Sequence, residues 1–304
     1  MISYKGVDDM KKLLFLVLIT VLGATFIVKD KPFFTENVTL NVDAKAMILI
    51  DAESGKVLYE KNSKEALPIA SMSKMMTQYI VLNAIKNGTL TWEDTYEPSE
   101  YVQQMTAQSG AVKLGMTPGN LYTVKELFTA MTVNSSNDAA VALAEMVSGS
   151  EEAFVTLMNQ QAKSFGLKKT SFFNASGLDG DYIGKSADET NIASAWDVAR
   201  IAQKLIERHP EVFDFTKMTD FRTSAGIQLW STNLMLPGMP LAMAGVDGLK
   251  TGYTDLAGSC FASTGIFDGK RVISVVMGVD EKGSDTTNPR FQLTEELIEH
   301  FVLE

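Results

Sequence analysis

Two periods alternate along the chain. Met47-Ile48-Leu49-Ile50 and Val57-Leu58-Tyr59, separated by Glu53-Ser54-Gly55, read as a pair of strands joined by a turn. From Met72 the apolar positions recur at Met75, Met76, Tyr79 and Ile80, the spacing of one helix face, and the run ends near Gly88. Thr123 and Glu126 form a capping-box pattern ahead of the stripe Val124, Leu127, Phe128 and Met131. That helix stops at Asn134-Ser135-Ser136-Asn137-Asp138, and another begins with Ala140, Leu143, Ala144 and Val147. Further helices are expected over about 151–165 and 195–208. Then the period shortens. Residues 258–266 and 270–279 read as strands around an Asp268-Gly269 turn, and 291–302 as a closing helix. Strands first, helices between and strands before a last helix predict an α+β domain: one antiparallel sheet flanked by helices, with a helical cluster inserted.

The amino-terminal stretch follows another logic. Lys5, Lys11 and Lys12 precede an apolar run from Leu13 to Val28, closed by Lys29, Asp30 and Lys31. A basic segment followed by an apolar one reads as an export signal. The run is shorter than the ~20 residues of a spanning helix. Ala24 could end a cleaved signal, although Leu22 sits where a small residue is wanted; an uncleaved membrane anchor, inside at its amino end, fits the same pattern. The expected organisation is therefore 1–31 as export signal or amino-terminal anchor, 32–43 as linker and 44–304 as the catalytic domain.

Composition narrows the chemistry. Of 304 residues 45% are apolar and 21% charged, which excludes wholesale disorder. The net charge of −10 argues against a nucleic-acid partner, whose phosphates need a basic face. Cys260 is the one cysteine, so no intrachain disulfide forms, and it reads as a small core residue. His209 and His300 are too few for most metal sites or a Ser-His-Asp triad, and read as surface or helix-end residues. Gly245 to Thr251 lacks the glycine that a phosphate loop places before its lysine. No metal or cofactor is expected. Asn174-Ala175-Ser176 has the form of a glycosylation acceptor, and Trp92, Trp196 and Trp230 read as packing residues.

One pattern carries chemistry. Ser71-Met72-Ser73-Lys74 opens the first helix, and residues three apart share a helix face, so the Ser71 hydroxyl and the Lys74 amine come within reach of one another. The neighbouring apolar stripe can desolvate Lys74 and lower its pKa toward that of a usable base. A helix amino terminus also favours developing negative charge. Alone the pattern is common, since serines at helix starts usually cap. Its company makes it specific: Ser135-Ser136-Asn137 lies between two helices, and Lys250-Thr251-Gly252 heads the late strands. Ser-x-x-Lys, Ser-x-Asn and Lys-Thr-Gly in that order form the active-site set of penicillin-binding proteins and serine β-lactamases. Ser231-Thr232-Asn233 also fits Ser-x-Asn but is set aside, because no helix pair surrounds it.

The text around these motifs resembles the low-molecular-mass D-alanyl-D-alanine carboxypeptidases. The resemblance rests on Val246 to Asp255, Asn134 to Ala140, Phe173 to Leu178 and Ala70 to Met75, and spans about residues 44–301. It implies a penicillin-binding-protein fold acting on peptidoglycan stem peptides that end in D-Ala-D-Ala, with β-lactams as covalent inhibitors. Ser71 would be the acylated nucleophile, Lys74 its base and Ser135 the proton relay to the leaving amine. Asn137 would hold the substrate amide, while Lys250 and Thr251 meet its carboxylate. The N–H groups of Ser71 and Tyr253, the residue after Gly252, would form the oxyanion hole. Arg290 would help bind the terminal carboxylate, and residues 281–288 read as a variable loop. Two features depart from many relatives: Tyr253 replaces a histidine, and no carboxy-terminal β-domain is expected. Two alternatives stand beside this one: a serine β-lactamase, for which no glutamate is found roughly 35 residues beyond Ser135, and a non-catalytic penicillin-binding scaffold.

Overall fold

Strand β1 (Ala46–Asp51) is buried along almost its whole length, without the polar alternation of a half-exposed strand. The reason is that both faces of its sheet are covered. Met47 and Leu49 face one apolar layer, Ala46, Ile48 and Ile50 the other. β2 (Val57–Lys61) pairs with one edge of β1, and the other edge receives a strand from the far end of the chain. The sheet order is β2-β1-β5-β4-β3, antiparallel throughout, where β3 is Val246–Thr254, β4 Gly258–Phe267 and β5 Lys270–Val279. The computed structural model describes residues 43–107, 110–186, 188–280 and 288–304. They fall in one unit, Leu40–Glu304, whereas Met1–Thr39, and with it the signal-or-anchor segment, lies outside the described residues. So do residues 281–287 of the expected variable loop. Among the described residues no helix is long and apolar enough to cross a membrane.

Residues 62–245 depart from the sheet and return as the inserted helical cluster. Its axis is α1 (Lys74–Lys86), buried on nearly every side from Lys74 to Leu82 rather than along one stripe. A helix apolar all round is a central helix. Around it lie α2 (Glu100–Ala107), α3 (Val124–Val133), α4 (Asn137–Ser148), α5 (Glu151–Ser164) and α6 (Ala195–Arg208). A short helix, α7 (Phe213–Thr216), leads towards β3. Val198, Ala202 and Leu205 of α6 join the core that contains Ile48, Ile273 and Val275. On the opposite face α8 (Pro289–Ile298) packs Phe291 and Ile298 against Leu49 and Phe261, and Leu293 and Leu297 against Met47 and Val276.

Some local expectations change in the fold. The Thr123 hydroxyl caps α3 by accepting from Glu126 N, but the reciprocal half of the box is missing. The Glu126 carboxylate instead accepts from Ser224 N and its hydroxyl at 2.8–3.0 Å, tying α3 to the hairpin of Asp220–Arg222 and Gln228–Trp230. His209 does end a helix but is no surface residue: it is 0% exposed, between Glu211 and Asn83, with Tyr79 edge-on. Asn174 is equally buried, so no glycan could reach it. Cys260 lies in the core as expected.

Candidate active site

A 3-10 turn, Ala70–Ser73, runs directly into α1 and places Ser71 and Lys74 side by side, with 2.8 Å between Lys74 Nζ and Ser71 Oγ. Ala70 takes φ +46° to make the turn, and Ser135 takes φ +69° at the head of α4. Two non-glycine residues in left-handed backbone beside one cavity mark local strain held by the surroundings. The turn is clamped by backbone on two sides. A Cβ at Gly252 would lie 3.0 Å from Ile69 O and 3.3 Å from Ser71 N; at Gly177, where φ is +87°, it would lie 2.0 Å from Ala70 O. At Gly177 only glycine admits so close an approach, and at Gly252 a side chain would press on the turn. Strand β3 therefore lies directly over the Ser71 backbone.

Lys74 is completely buried. Besides Ser71 Oγ, its Nζ meets Asn137 Oδ1 at 2.7 Å and Ser176 O at 2.5 Å. Burial first, then the charge of Lys250, hold this amine well below the ordinary lysine range; Asp138 pulls weakly the other way. The desolvation expected from the neighbouring apolar residues is thus present, though it comes from burial on all sides. Lys250 is 1% exposed, with its Nζ 3.0 Å from Thr251 O; burial, and then the Arg290 guanidinium, bring its pKa down to about 7.

In front of these lysines is a cavity of about 230 Å³ lined by Ser71, Ser135, Asn137, Gly177, Tyr182, Thr232, Thr251, Gly252, Tyr253, Asp255 and Arg290. The fold thus brings together every candidate from the sequence: seven line the cavity and Lys74 and Lys250 stand behind it. Asn137 is engaged within the protein at both ends of its amide, accepting from Lys74 and donating from Nδ2 to Val112 O at 2.9 Å. Arg290, in the first turn of α8, donates from Nη1 to Gly252 O at 3.1 Å. The Tyr253 side chain is 53% exposed at the rim, and its hydroxyl reaches Asp255 Oδ1 at 3.3 Å.

Residues 33–281 match the profile of a peptidase family described as D-alanyl-D-alanine carboxypeptidase, S11. The chain belongs to that family. It is 38% identical over 240 residues to the D-alanyl-D-alanine carboxypeptidase DacF of Bacillus subtilis, covering 78% of this chain and 57% of that protein. It is 35% identical to DacC of Escherichia coli, covering 85% and 61%. The chain thus spans little more than half the length of these curated relatives. Among solved structures, a peptidoglycan synthesis regulatory factor of Streptococcus pneumoniae superposes with a TM-score of 0.82 at 39% identity, covering 86% of this chain and 71% of that one. An ampicillin-bound penicillin-binding protein of Listeria monocytogenes gives 0.73 at 37% identity, covering 86% and 98%. The mixed fold of helices on an antiparallel sheet is the family fold.

Sequence reading missed the residues that hold the site in place. Ser176 offers Lys74 its carbonyl, and Asn174 Oδ1 accepts from Ser176 N and Gly177 N. Glu151 accepts from Ala175 N at 2.8 Å and from the Tyr101 hydroxyl at 2.6 Å. The signal for Asn174, Ser176 and Gly177 in the sequence is the Phe173 to Leu178 text; Glu151 and Tyr101 have none. Thr232 is the middle residue of Ser231-Thr232-Asn233, the second Ser-x-Asn match in the chain. Ser135 and Asn137 rather than Ser231 and Asn233 form the Ser-x-Asn element of the cavity, yet Thr232 lines it too.

Proposed function

We propose that the chain is a serine-type D-alanyl-D-alanine carboxypeptidase that removes the terminal D-alanine from peptidoglycan stem peptides through an acyl-enzyme. One observation carries the reading: how the Lys74 amine is partnered. A neutral amine has two N–H bonds and one lone pair. Asn137 Oδ1 and Ser176 O are acceptors and take the two N–H bonds, so the lone pair is left for Ser71 O–H at 2.8 Å. Burial, and then the charge of Lys250, hold the pKa of this amine well below the ordinary lysine range, the direction a general base requires.

Lys74 takes the Ser71 proton as Oγ attacks the carbonyl of the D-Ala-D-Ala bond. The oxyanion is received by the N–H groups of Ser71 and Tyr253. The C–N bond then breaks, the proton passes through Ser135 to the leaving amine, and D-alanine departs. Water hydrolyses the Ser71 ester and restores the hydroxyl. Lys250, Thr251 and Arg290 hold the substrate carboxylate. The place of Ser135 in the cavity lining, on left-handed backbone at the head of α4, supports the relay role. The work would take place on the outer side of the cytoplasmic membrane or in the wall space, with residues 1–31 as signal or anchor. Fractionation of the full chain with membranes, against a mature protein starting near Thr25, separates those two states.

The test is release of free D-alanine from a D-Ala-D-Ala pentapeptide. β-Lactams should acylate Ser71 as well. Among the described residues the cavity lining offers one carboxylate, Asp255, which is exposed and faces Tyr253. A penicilloyl ester is therefore expected to outlast the peptide acyl-enzyme by orders of magnitude. Clearance of the adduct within seconds, with catalytic consumption of the drug, would replace this reading by that of a β-lactamase.

A further inference from the structure

Segment Trp230–Asn233 spans the gap between the two motif-bearing walls of the cavity. On one side Thr232 N donates to Val133 O at 3.2 Å, and Asn134 Nδ2 donates to Trp230 O at 3.4 Å, next to Ser135. On the other side Asn233 Nδ2 approaches Gly248 O of β3 at 3.5 Å. The segment is itself anchored: Ser231 N donates to Thr219 O, Asn233 N to Ser231 Oγ, and Met235 N to Asn233 Oδ1. Thr232 is thereby fixed at the cavity lining with its Oγ1 2.6 Å from Thr251 Oγ1.

We propose that Thr232 is a positioning residue for substrate carboxylate recognition, supplying the hydrogen bond that frees the Thr251 hydroxyl to donate to the bound carboxylate. This inference rests on the carboxypeptidase reading given above. Each hydroxyl carries one proton and two acceptor sites. In the free protein the Thr251 proton lies between the two oxygens, donated to Thr232. A carboxylate only accepts, so when it arrives the Thr251 proton must turn towards it. The two oxygens, still held 2.6 Å apart, would then oppose lone pairs unless Thr232 reverses and donates. A hydroxyl at position 232 allows that reversal, and the second bond of the chain polarises the first. An apolar side chain of the same shape cannot do this.

The test compares acylation of Ser71 by benzylpenicillin, which bears a free carboxylate, with acylation by its methyl ester, which does not. Intact-mass spectrometry gives both second-order rates. For Thr232→Val the free-acid rate is expected to fall about tenfold, the loss of one charge-assisted bond, while the ester rate changes by less than about twofold. Thr232→Ser, which keeps the hydroxyl, is expected to restore most of the free-acid rate. Equal losses with acid and ester, or failure of Thr232→Ser to rescue, overturn the inference and leave Thr232 a structural residue. An unaltered protein that the free acid does not acylate at all would overturn the underlying reading, and this one with it. If Thr232→Val proves unstable, the Thr232→Ser and Thr232→Ala ratios of acid to ester rate decide in the same way.

Discussion

Gly177→Ala tests whether the geometry of the 3-10 turn, rather than its sequence, makes Ser71 reactive. The added methyl carbon would stand 2.0 Å from Ala70 O and 2.4 Å from Ala70 C. Ordinary carbon contacts are near 3.5 Å, so one backbone must yield by more than about 1 Å. Neither can yield alone. Gly177 N is held by Asn174 Oδ1 at 2.6 Å, Ser176 O holds Lys74, and Ala70 leads directly into Ser71. The clash and the φ of +87° together are expected to cost about 2–5 kcal/mol. In a domain of this size that lowers Tm by roughly 5–15 °C. Displacing Ser71 from Lys74 by about an ångström should lower the acylation rate on the order of a hundredfold. Gly149→Ala is the control: φ is +81°, nothing lies within 4 Å of the new carbon, and the site is at the far end of α4. It should lose about 1–2 kcal/mol and keep its acylation rate. Fluorescent-penicillin labelling kinetics and thermal melts on both variants make the comparison. A Gly177→Ala protein that melts low but acylates at the unaltered rate would show that the clamp supports the fold and not the nucleophile.

Ser71→Ala should abolish penicillin labelling without loss of fold, and Lys74→Arg should do nearly the same, because a guanidinium stays protonated and cannot accept the Ser71 proton; labelling retained by Ser71→Ala, read by tryptic mapping, would move the nucleophile. The pH profile of kcat/KM for the peptide should be a bell, with an acid limb where Lys74 becomes protonated and an alkaline limb where Lys250 loses its charge near its value of about 7. Arg290→Ala removes a neighbouring cation that lowers Lys250, so the alkaline limb should move to higher pH; a limb that stays in place refutes the assignment. Lys250→Met should stabilise the protein by up to about 5 kcal/mol while impairing peptide turnover. The folded value of about 7 lies below the unfolded one near 10.4, so the unfolded chain binds the extra proton between them; the gain is full below pH about 7 and fades as pH rises toward about 10.4, which melts at several pH values would follow.

What was legible in the sequence followed from short-range rules. The hairpin of β4 and β5 was found because a two-residue turn at Asp268-Gly269 fixes register, and the observed β5 has the bounds expected for it. Ser71 and Lys74 were paired correctly because an i to i+3 relation is local. α2 went unseen: its sequence buries only Val102 and Met105, too few to set up a period. β3 was not drawn as a strand, since Val246-Asp247-Gly248-Leu249 does not alternate. It is held in the sheet by long-range contacts, among them Arg271 gripping Asp247 with two bonds of 2.8 Å. Ser176, Glu151 and Thr232 present a backbone carbonyl, a carboxylate under a loop and a hydroxyl from the segment after a distant hairpin. None of these has a spacing signature, so only the assembled chain brings them to the site.

The partners chosen for the two buried lysines are consistent with a site built to keep its charges adjustable. A buried lysine in a protein of net charge −10 could readily have been given a carboxylate. Such a pair would hold the amine protonated and end its use as a base. Instead Lys74 meets an amide oxygen, a carbonyl and a hydroxyl, and Lys250 meets a carbonyl. The carboxylate that does act on Lys74, that of Asp138, is occupied elsewhere: Leu114 N, Ala139 N, Gly115 N and the Thr106 hydroxyl donate to it at 2.8–3.1 Å. Its charge is thus committed to holding the segment that carries Val112, the carbonyl that fixes the Asn137 amide. Asp138 therefore orients the acceptor of Lys74 without pairing with Lys74 itself. With no carboxylate among the described residues bonded to either amine, Lys74 stays far below the ordinary lysine range and Lys250 stays at about 7, where an arriving carboxylate would favour its charged form.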